Sequence, residues 1–139
     1  MAELNRRALL ALIGGGAVAA TVGIVSVEAA PGGAFRLRGM VRSTASGPMP
    51  VGILKVRLEE QGIMDKAARR IAETTVRSNG RQRVVPFEMV VPRASLARAY
   101  DPGFSVRLER NGRLIAINTT KQRYRGGLEA SLQIEPILY

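Results

Sequence analysis

The chain has 139 residues, which is enough for one small domain with a single core. It contains no cysteine and no histidine, which excludes disulfides, thiol catalysis and the commonest general base and metal ligand. Its 21 basic residues outnumber 11 acidic ones, so the net charge is +10. This excess predicts attraction to anionic lipid or to an acidic partner. The alternative is that it reflects the arginine codons of a GC-rich genome.

A segment without charged residues, residues 8–27, precedes the domain. As a helix it would be about 30 Å long, which matches the hydrocarbon core of a bilayer. Arg6 and Arg7 stand directly before it and favour a cytoplasmic N-terminus. We therefore predict a single-pass anchor in the bacterial inner membrane over residues 1–29 and a periplasmic domain over residues 30–139.

The same segment has a second interpretation, a cleaved export signal. Asn5-Arg6-Arg7 resembles a twin-arginine signal, and Val27-Glu28-Ala29 has the small-x-small pattern of a cleavage site. The apolar run is longer than the roughly 7–15 residues of a typical signal core, which favours retention. Cleavage before Ala30 would instead release a soluble periplasmic domain.

Small residues recur four positions apart along the apolar segment and would let a second transmembrane helix approach closely. They are Gly15, Gly16, Ala19, Ala20 and Gly23. This spacing predicts packing against an integral membrane protein. The alternative is that glycine and alanine are the ordinary composition of an export signal.

Alternation of apolar and polar residues predicts about seven short strands after the anchor. The predicted strands cover residues 35–42, 54–59, 71–77, 84–91, 104–109, 114–118 and 128–135. Residues 92–100 form a connection with room for one helical turn. Asn111-Gly112 predicts a type I′ hairpin turn. The expected fold is an all-β, antiparallel β-sandwich.

The fourth predicted strand contains a proline, Pro86. Proline cannot donate a hydrogen bond to a ladder, so this strand is expected at a sheet edge or at a bulge. Four apolar residues of the strand would share its inner face. They are Val85, Phe87, Met89 and Val91.

Five arginines on three predicted strands would form one basic face if those strands are neighbours. They are Arg36, Arg38, Arg42, Arg57 and Arg107. A solvated sheet face is the ordinary role of such residues, and binding to anionic lipid or an acidic protein surface is the alternative. Nucleic acid is a poor partner, since only three tyrosines and three phenylalanines are available to stack on bases.

No pattern of reactive residues points to catalysis. The serines and threonines have no histidine to activate them. The carboxylates of Glu73, Glu88, Asp101 and Glu109 are scattered along the sequence, without the spacing of an acid–base pair or a calcium loop. We therefore expect no enzymatic activity, no cofactor and no metal.

Several short motifs follow one another along the domain. They are Met49-Pro50, Ile71-Ala72-Glu73-Thr74-Thr75, Pro86-Phe87-Glu88, Tyr100-Asp101-Pro102 and Asn111-Gly112-Arg113-Leu114-Ile115. In this order they resemble the YbaY/YscW family of small exported proteins, which includes the pilotin chaperones of type III secretion secretins. The resemblance covers residues 35–134 and implies an antiparallel β-sandwich in the periplasm that binds protein.

Members of that family are often lipoproteins, whereas this chain has no cysteine to acylate. Any tether would therefore be the helix of residues 8–27. The sequence as a whole predicts a non-catalytic accessory subunit, bound to an integral membrane or envelope protein complex through its anchor and its sandwich. The alternative is a freely exported binding module or pilotin-like chaperone.

Overall fold

The computed structural model describes residues 33–62 and 68–138. The predicted anchor, residues 1–29, lies outside this part of the chain. So do the predicted helix-packing residues Gly15, Gly16, Ala19, Ala20 and Gly23. Among the described residues, no helix combines the length and the apolar character needed to cross a membrane.

Eight strands and one short helix make up the described part of the chain. In chain order they are β1 (Ala34–Ser43), β2 (Gly52–Glu60), β3 (Arg69–Ser78), β4 (Val84–Pro92), α1 (Arg93–Ala97), β5 (Pro102–Arg110), β6 (Arg113–Ile117), β7 (Gln122–Arg123) and β8 (Glu129–Pro136). All seven predicted strands are confirmed, and α1 is the helical turn in the connection after β4. The sequence does not predict β7, because a strand of two residues is too short to show an alternating pattern.

The strands form one hydrogen-bonded sheet that curls into a barrel-like shape. Its order is β3-β2-β5-β6-β8-β1-β4, and β7 pairs with β5. The two ends of this order, β3 and β4, lie in contact with each other. The prediction of an all-β fold is confirmed. The sheet is continuous rather than a sandwich of two separate sheets because β8 pairs with β1 over most of its length and with β6 at its end.

One pairing corrects the predicted antiparallel pattern, since β1 and β8 run parallel. The other ladders are antiparallel. Parallel neighbours need a long crossover connection. β1 and β8 are the first and last described strands, so all the strands between them supply that connection. Side chains alternate in the same way in both kinds of ladder, and the sequence pattern therefore does not distinguish them.

The inward side chains of the strands form one core. On β2 the residues Leu54, Val56 and Leu58 are fully buried, and they face the equally buried Val106 and Leu108 of the neighbouring β5. Burial of such a side chain is worth about 1.5–3 kcal/mol. A slip of one residue would expose the whole inner row, so this core fixes the register of each strand.

The proline-containing strand confirms its prediction. β4 is the last strand in the sheet order, and Pro86 is exposed on it. The four residues predicted to share its inner face are buried. They are Val85, Phe87, Met89 and Val91. An edge position suits proline because its missing N–H is not required by another strand.

Candidate functional site

The chain leaves the sheet after β6 and thereby opens a gap between β5 and β8. β6 pairs with the last four residues of β5 but reaches only Glu135 and Pro136 of β8. Beyond Ile117, the short strand β7 pairs with β5 at Gly103 and Phe104. The earlier part of β8 pairs with β1 on one edge, and no strand continues along its other edge within the described residues. A groove of about 550 Å³ lies between β7 and β8.

Two side-chain amides replace the missing strand at one end of the gap. Asn118 Oδ1 accepts the Val106 N–H at 2.8 Å, and Asn118 Nδ2 donates to the Phe104 carbonyl at 2.9 Å. Gln122 Nε2 donates to the Gln133 carbonyl at 2.7 Å, and Gln122 Oε1 accepts the Gln133 N–H at 2.9 Å. Each amide makes the pair of bonds that a neighbouring strand would make, so the edges of β5 and β8 are satisfied there.

The floor of the groove is apolar. It includes the buried Phe104 and Leu132 and the half-buried Ala130 and Tyr124. The Tyr124 ring meets Phe104 edge-on with 6.3 Å between centroids, and its hydroxyl donates to the Gly127 carbonyl at 2.7 Å. Partial burial raises the pKa of the Tyr124 hydroxyl. The side chain therefore stays neutral, and its hydrogen bond to the Gly127 carbonyl holds it in the floor.

One wall of the groove is basic. Lys121, Arg123 and Arg125 line it, and the facing Glu129 on β8 is the carboxylate in the lining. Behind the wall, Asp101 forms an ion pair with Lys121, and its Oδ1 lies 3.6 Å from Arg123 Nε. The Lys121 hydrogen bond lowers the pKa of Asp101 and keeps the carboxylate charged. Arg125 is exposed and forms no ion pair with another described residue.

A buried carboxylate holds the loop that carries Asp101. Glu60, at the end of β2, is 3% exposed. Its Oε2 accepts the Gly62 N–H at 2.9 Å and the Asp101 N–H at 3.0 Å, and its Oε1 accepts the Tyr100 N–H. These bonds tie the loop before β5 to β2. Asp101, which pairs with Lys121 of the basic wall, is thus held against the end of β2.

The five arginines predicted to share one face fall into two groups. Arg36, Arg38 and Arg42 lie on β1, between β4 and β8. Arg57 lies on β2 and Arg107 on the adjacent β5. β1 is not a neighbour of either strand in the sheet order. The structure therefore brings together each group but not all five residues.

Carboxylates lie beside most of these arginines. Arg38 Nε is 2.8 Å and Arg36 Nε is 3.6 Å from the same oxygen of Glu88. Arg57 Nε is 2.6 Å from Glu73 Oε2, and this hydrogen bond raises the pKa of the guanidinium. The exposed pairs of Arg36 and Arg38 contribute little to stability, whereas the Arg57–Glu73 pair is partly buried. Contact of the arginines with lipid stays a prediction.

The sequence reasoning missed the groove. Residues 121–125, KQRYR, carry the only local signal, a basic run with one tyrosine between two predicted strands. Ser131 on the other wall belongs to a strand that is predicted correctly. The alternation of apolar and polar residues along a strand indicates which face is buried, but it does not indicate which edge of the strand lacks a neighbouring strand.

The fold and the groove define a small, barrel-like β domain with an opening between β7 and β8. Residues 34–134 match the sequence profile described as "Type III secretion system lipoprotein chaperone (YscW)". The chain belongs to this family, and the resemblance noted in the sequence is confirmed.

A solved structure shares the fold. It is described as an alternative pilotin from the type II secretion system of Vibrio cholerae, and it superposes with a TM-score of 0.68. The two chains are 18% identical over a match that covers 76% of this chain and 99% of that one. No curated protein matches the chain significantly. At this identity the likeness to the pilotin shows the fold alone.

Proposed function

We propose that this protein is a non-catalytic assembly helper of a bacterial secretion system, and that it binds a secretin subunit in the cell envelope. The family match over residues 34–134 carries the proposal, because the matched profile is described as a type III secretion lipoprotein chaperone. The fold shared with a pilotin supports it. The groove between β7 and β8 offers a place for the partner, with an apolar floor and a basic wall.

The proposal includes a membrane tether. The chain has no cysteine that a lipid could modify, so the uncharged residues 8–27 would anchor the domain to the periplasmic face of the inner membrane. Gly16 and Ala20 would lie among the residues that face a partner helix. The exposed arginines of β1 would then approach anionic lipid. In the alternative form, cleavage before Ala30 releases the domain, and the intact mass of the native protein distinguishes the two forms.

A deletion strain of the source bacterium tests the proposed function. We expect the amount of assembled secretin in the outer membrane to fall on deletion and to recover when the full-length chain is restored. A tagged full-length chain, solubilised in mild detergent, should retain the secretin during purification. Unchanged secretin assembly in the deletion strain, together with no secretin bound to the tagged chain, would contradict the proposal.

A further inference from the structure

The hydrogen bonds between β1 and β8 show which residues of β8 direct their backbone N–H and carbonyl groups toward the groove. The Arg38 N–H of β1 donates to the Leu128 carbonyl at 3.0 Å, and the Thr44 N–H donates to the Ile134 carbonyl at 2.9 Å. Bonded residues alternate along a parallel strand. The even-numbered residues of β8 therefore bond to β1, and the odd-numbered residues direct their N–H and carbonyl groups to the opposite edge.

The opposite edge of β8 is occupied at its C-terminal end. Just beyond the strand, the Ile137 N–H donates to the Ile115 carbonyl of β6 at 3.0 Å. Closer to the groove, the side chain of Gln122 bonds to both backbone groups of Gln133. The same alternation therefore appears on both sides of β8, and it assigns each odd-numbered residue to this edge.

The next odd-numbered residues, Ser131 and Glu129, line the groove and have no backbone partner on this edge within the described chain. The facing wall is also a strand edge. The Tyr124 N–H donates to the Pro102 carbonyl of β5 at 2.9 Å, so the preceding Arg123 directs its own backbone groups away from β5. An unpaired strand edge is a template for another strand.

We propose that the groove binds its partner as an added β-strand. An extended segment of about four residues would lie between β7 and β8 and exchange backbone hydrogen bonds with Ser131 and Glu129. Alternate side chains of the segment would contact Phe104 and Leu132 on the floor. This inference deepens the proposed function and rests on it, because the segment would belong to the secretin.

The charge of the lining indicates an acidic segment. Lys121, Arg123 and Arg125 provide three cations against the single carboxylate of Glu129. Asp101 lies beside the first two, whereas Arg125 forms no ion pair with another described residue. A carboxylate on the segment would pair with Arg125, and the attraction would weaken as ionic strength rises. The occupant is therefore an extended segment that carries acidic side chains.

Substitution at Ser131 tests the backbone bonds. Ser131→Pro removes the N–H that faces the groove and leaves the bonds of the even-numbered residues to β1 in place, and proline is tolerated at a strand edge. Ser131→Ala keeps the N–H and is the matched control. The probe is a fluorescein-labelled peptide of about eight alternating valine and glutamate residues. For full-length protein in mild detergent, we expect Ser131→Pro to weaken peptide binding about tenfold and Ser131→Ala to change it less than about twofold.

A second pair of variants tests the charge. Arg125→Glu should weaken binding of the glutamate peptide and favour the same peptide with lysine in place of glutamate. Arg77→Glu on β3, away from the groove, changes the net charge equally and should leave the binding of both peptides unchanged. In the wild type, hydrogen exchange at the Ser131 amide should slow when the glutamate peptide binds. The Leu132 amide, which already faces β1, should keep its exchange rate.

The inference is overturned if Ser131→Pro binds the glutamate peptide like the wild type, or if the wild type does not prefer glutamate to lysine. Either result leaves the secretin co-purification unaffected, so the proposed function would stand. Binding of the glutamate peptide without capture of the secretin would overturn the proposed partner and retain the added strand. If Ser131→Pro unfolds, the Arg125→Glu pair and the Ser131 exchange rate in the wild type decide the question.

Discussion

Glu73 on β3 lies between two guanidinium groups. Its Oε2 is 2.6 Å from Arg57 Nε, and its Oε1 is 2.9 Å from Arg70 Nη1. Partial burial alone would raise the pKa of Glu73, but the hydrogen bond and charge of Arg57 and the charge of Arg70 outweigh it. The pKa of the carboxyl is therefore lower than its ordinary value of 4.5.

This lowered pKa predicts a specific dependence of stability on pH. A carboxyl whose pKa is lower in the folded state contributes stability above the unfolded pKa and loses it as pH falls through the folded pKa. The wild type should therefore melt at a higher temperature than Glu73→Gln near neutral pH, and the two melting temperatures should converge below about pH 4.5. Thermal unfolding between about pH 7 and about pH 3 measures the difference.

Glu129→Gln is the control for this series, because the Glu129 carboxylate forms no ion pair with another described residue. Its melting temperature should follow the wild type across the range. A difference between the wild type and Glu73→Gln that stays constant down to the lowest pH would show that the ion pairs are not its cause.

At the scale of the elements, the β5–β6 hairpin depends on two residues with positive φ. Asn111 has φ of 55° and Gly112 has φ of 79°, as the predicted type I′ turn requires. A Cβ atom at Gly112 would meet no heavy atom within 4 Å, so only the backbone conformation restricts the side chain there.

Gly112→Val should destabilise the domain by about 1–3 kcal/mol, because a β-branched residue reaches this φ only with strain. Gly112→Asn is the matched control and should cost less, since asparagine tolerates the left-handed region. Chemical denaturation of the three proteins gives the free energies of unfolding. An unchanged unfolding midpoint for Gly112→Val would mean that the turn carries no such constraint.

The elements that the sequence predicts are those whose own side chains report burial. The alternation in β2 and β5 fixes which residues face the core, and Pro86 places β4 at the edge. The parallel pairing of β1 with β8 escapes prediction because it depends on strands far apart in sequence. The two-residue strand β7 escapes because its bonds to β5 leave no periodic pattern.

The candidate site is less predictable than the fold for a related reason. The basic run of residues 121–125 is visible in the sequence. The open edge at Ser131 and Glu129 is not visible, because it arises where β6 ends and where Gln122 bonds to Gln133. Both features depend on contacts between residues that are far apart in the sequence. Such contacts exist only once the sheet has formed.

At the scale of the whole molecule, the domain is a curled sheet with a gap between β5 and β8. Core burial holds the strands together, and Glu60 and Asp101 hold the loops beside this gap. In the proposed function, a secretin segment would complete the sheet at the gap, while residues 8–27 would hold the domain at the membrane. Folding and binding would then use the same backbone chemistry.

Cross-linking inside cells tests this claim most directly. A photoreactive amino acid replaces either Glu129, which lines the groove and keeps its backbone groups, or Arg77 on β3; both side chains are exposed. After irradiation of the source bacterium, mass spectrometry identifies the proteins attached to the full-length chain. We predict a secretin cross-link from position 129 and none from position 77. A secretin cross-link from position 77 without one from position 129 would contradict the proposed binding mode.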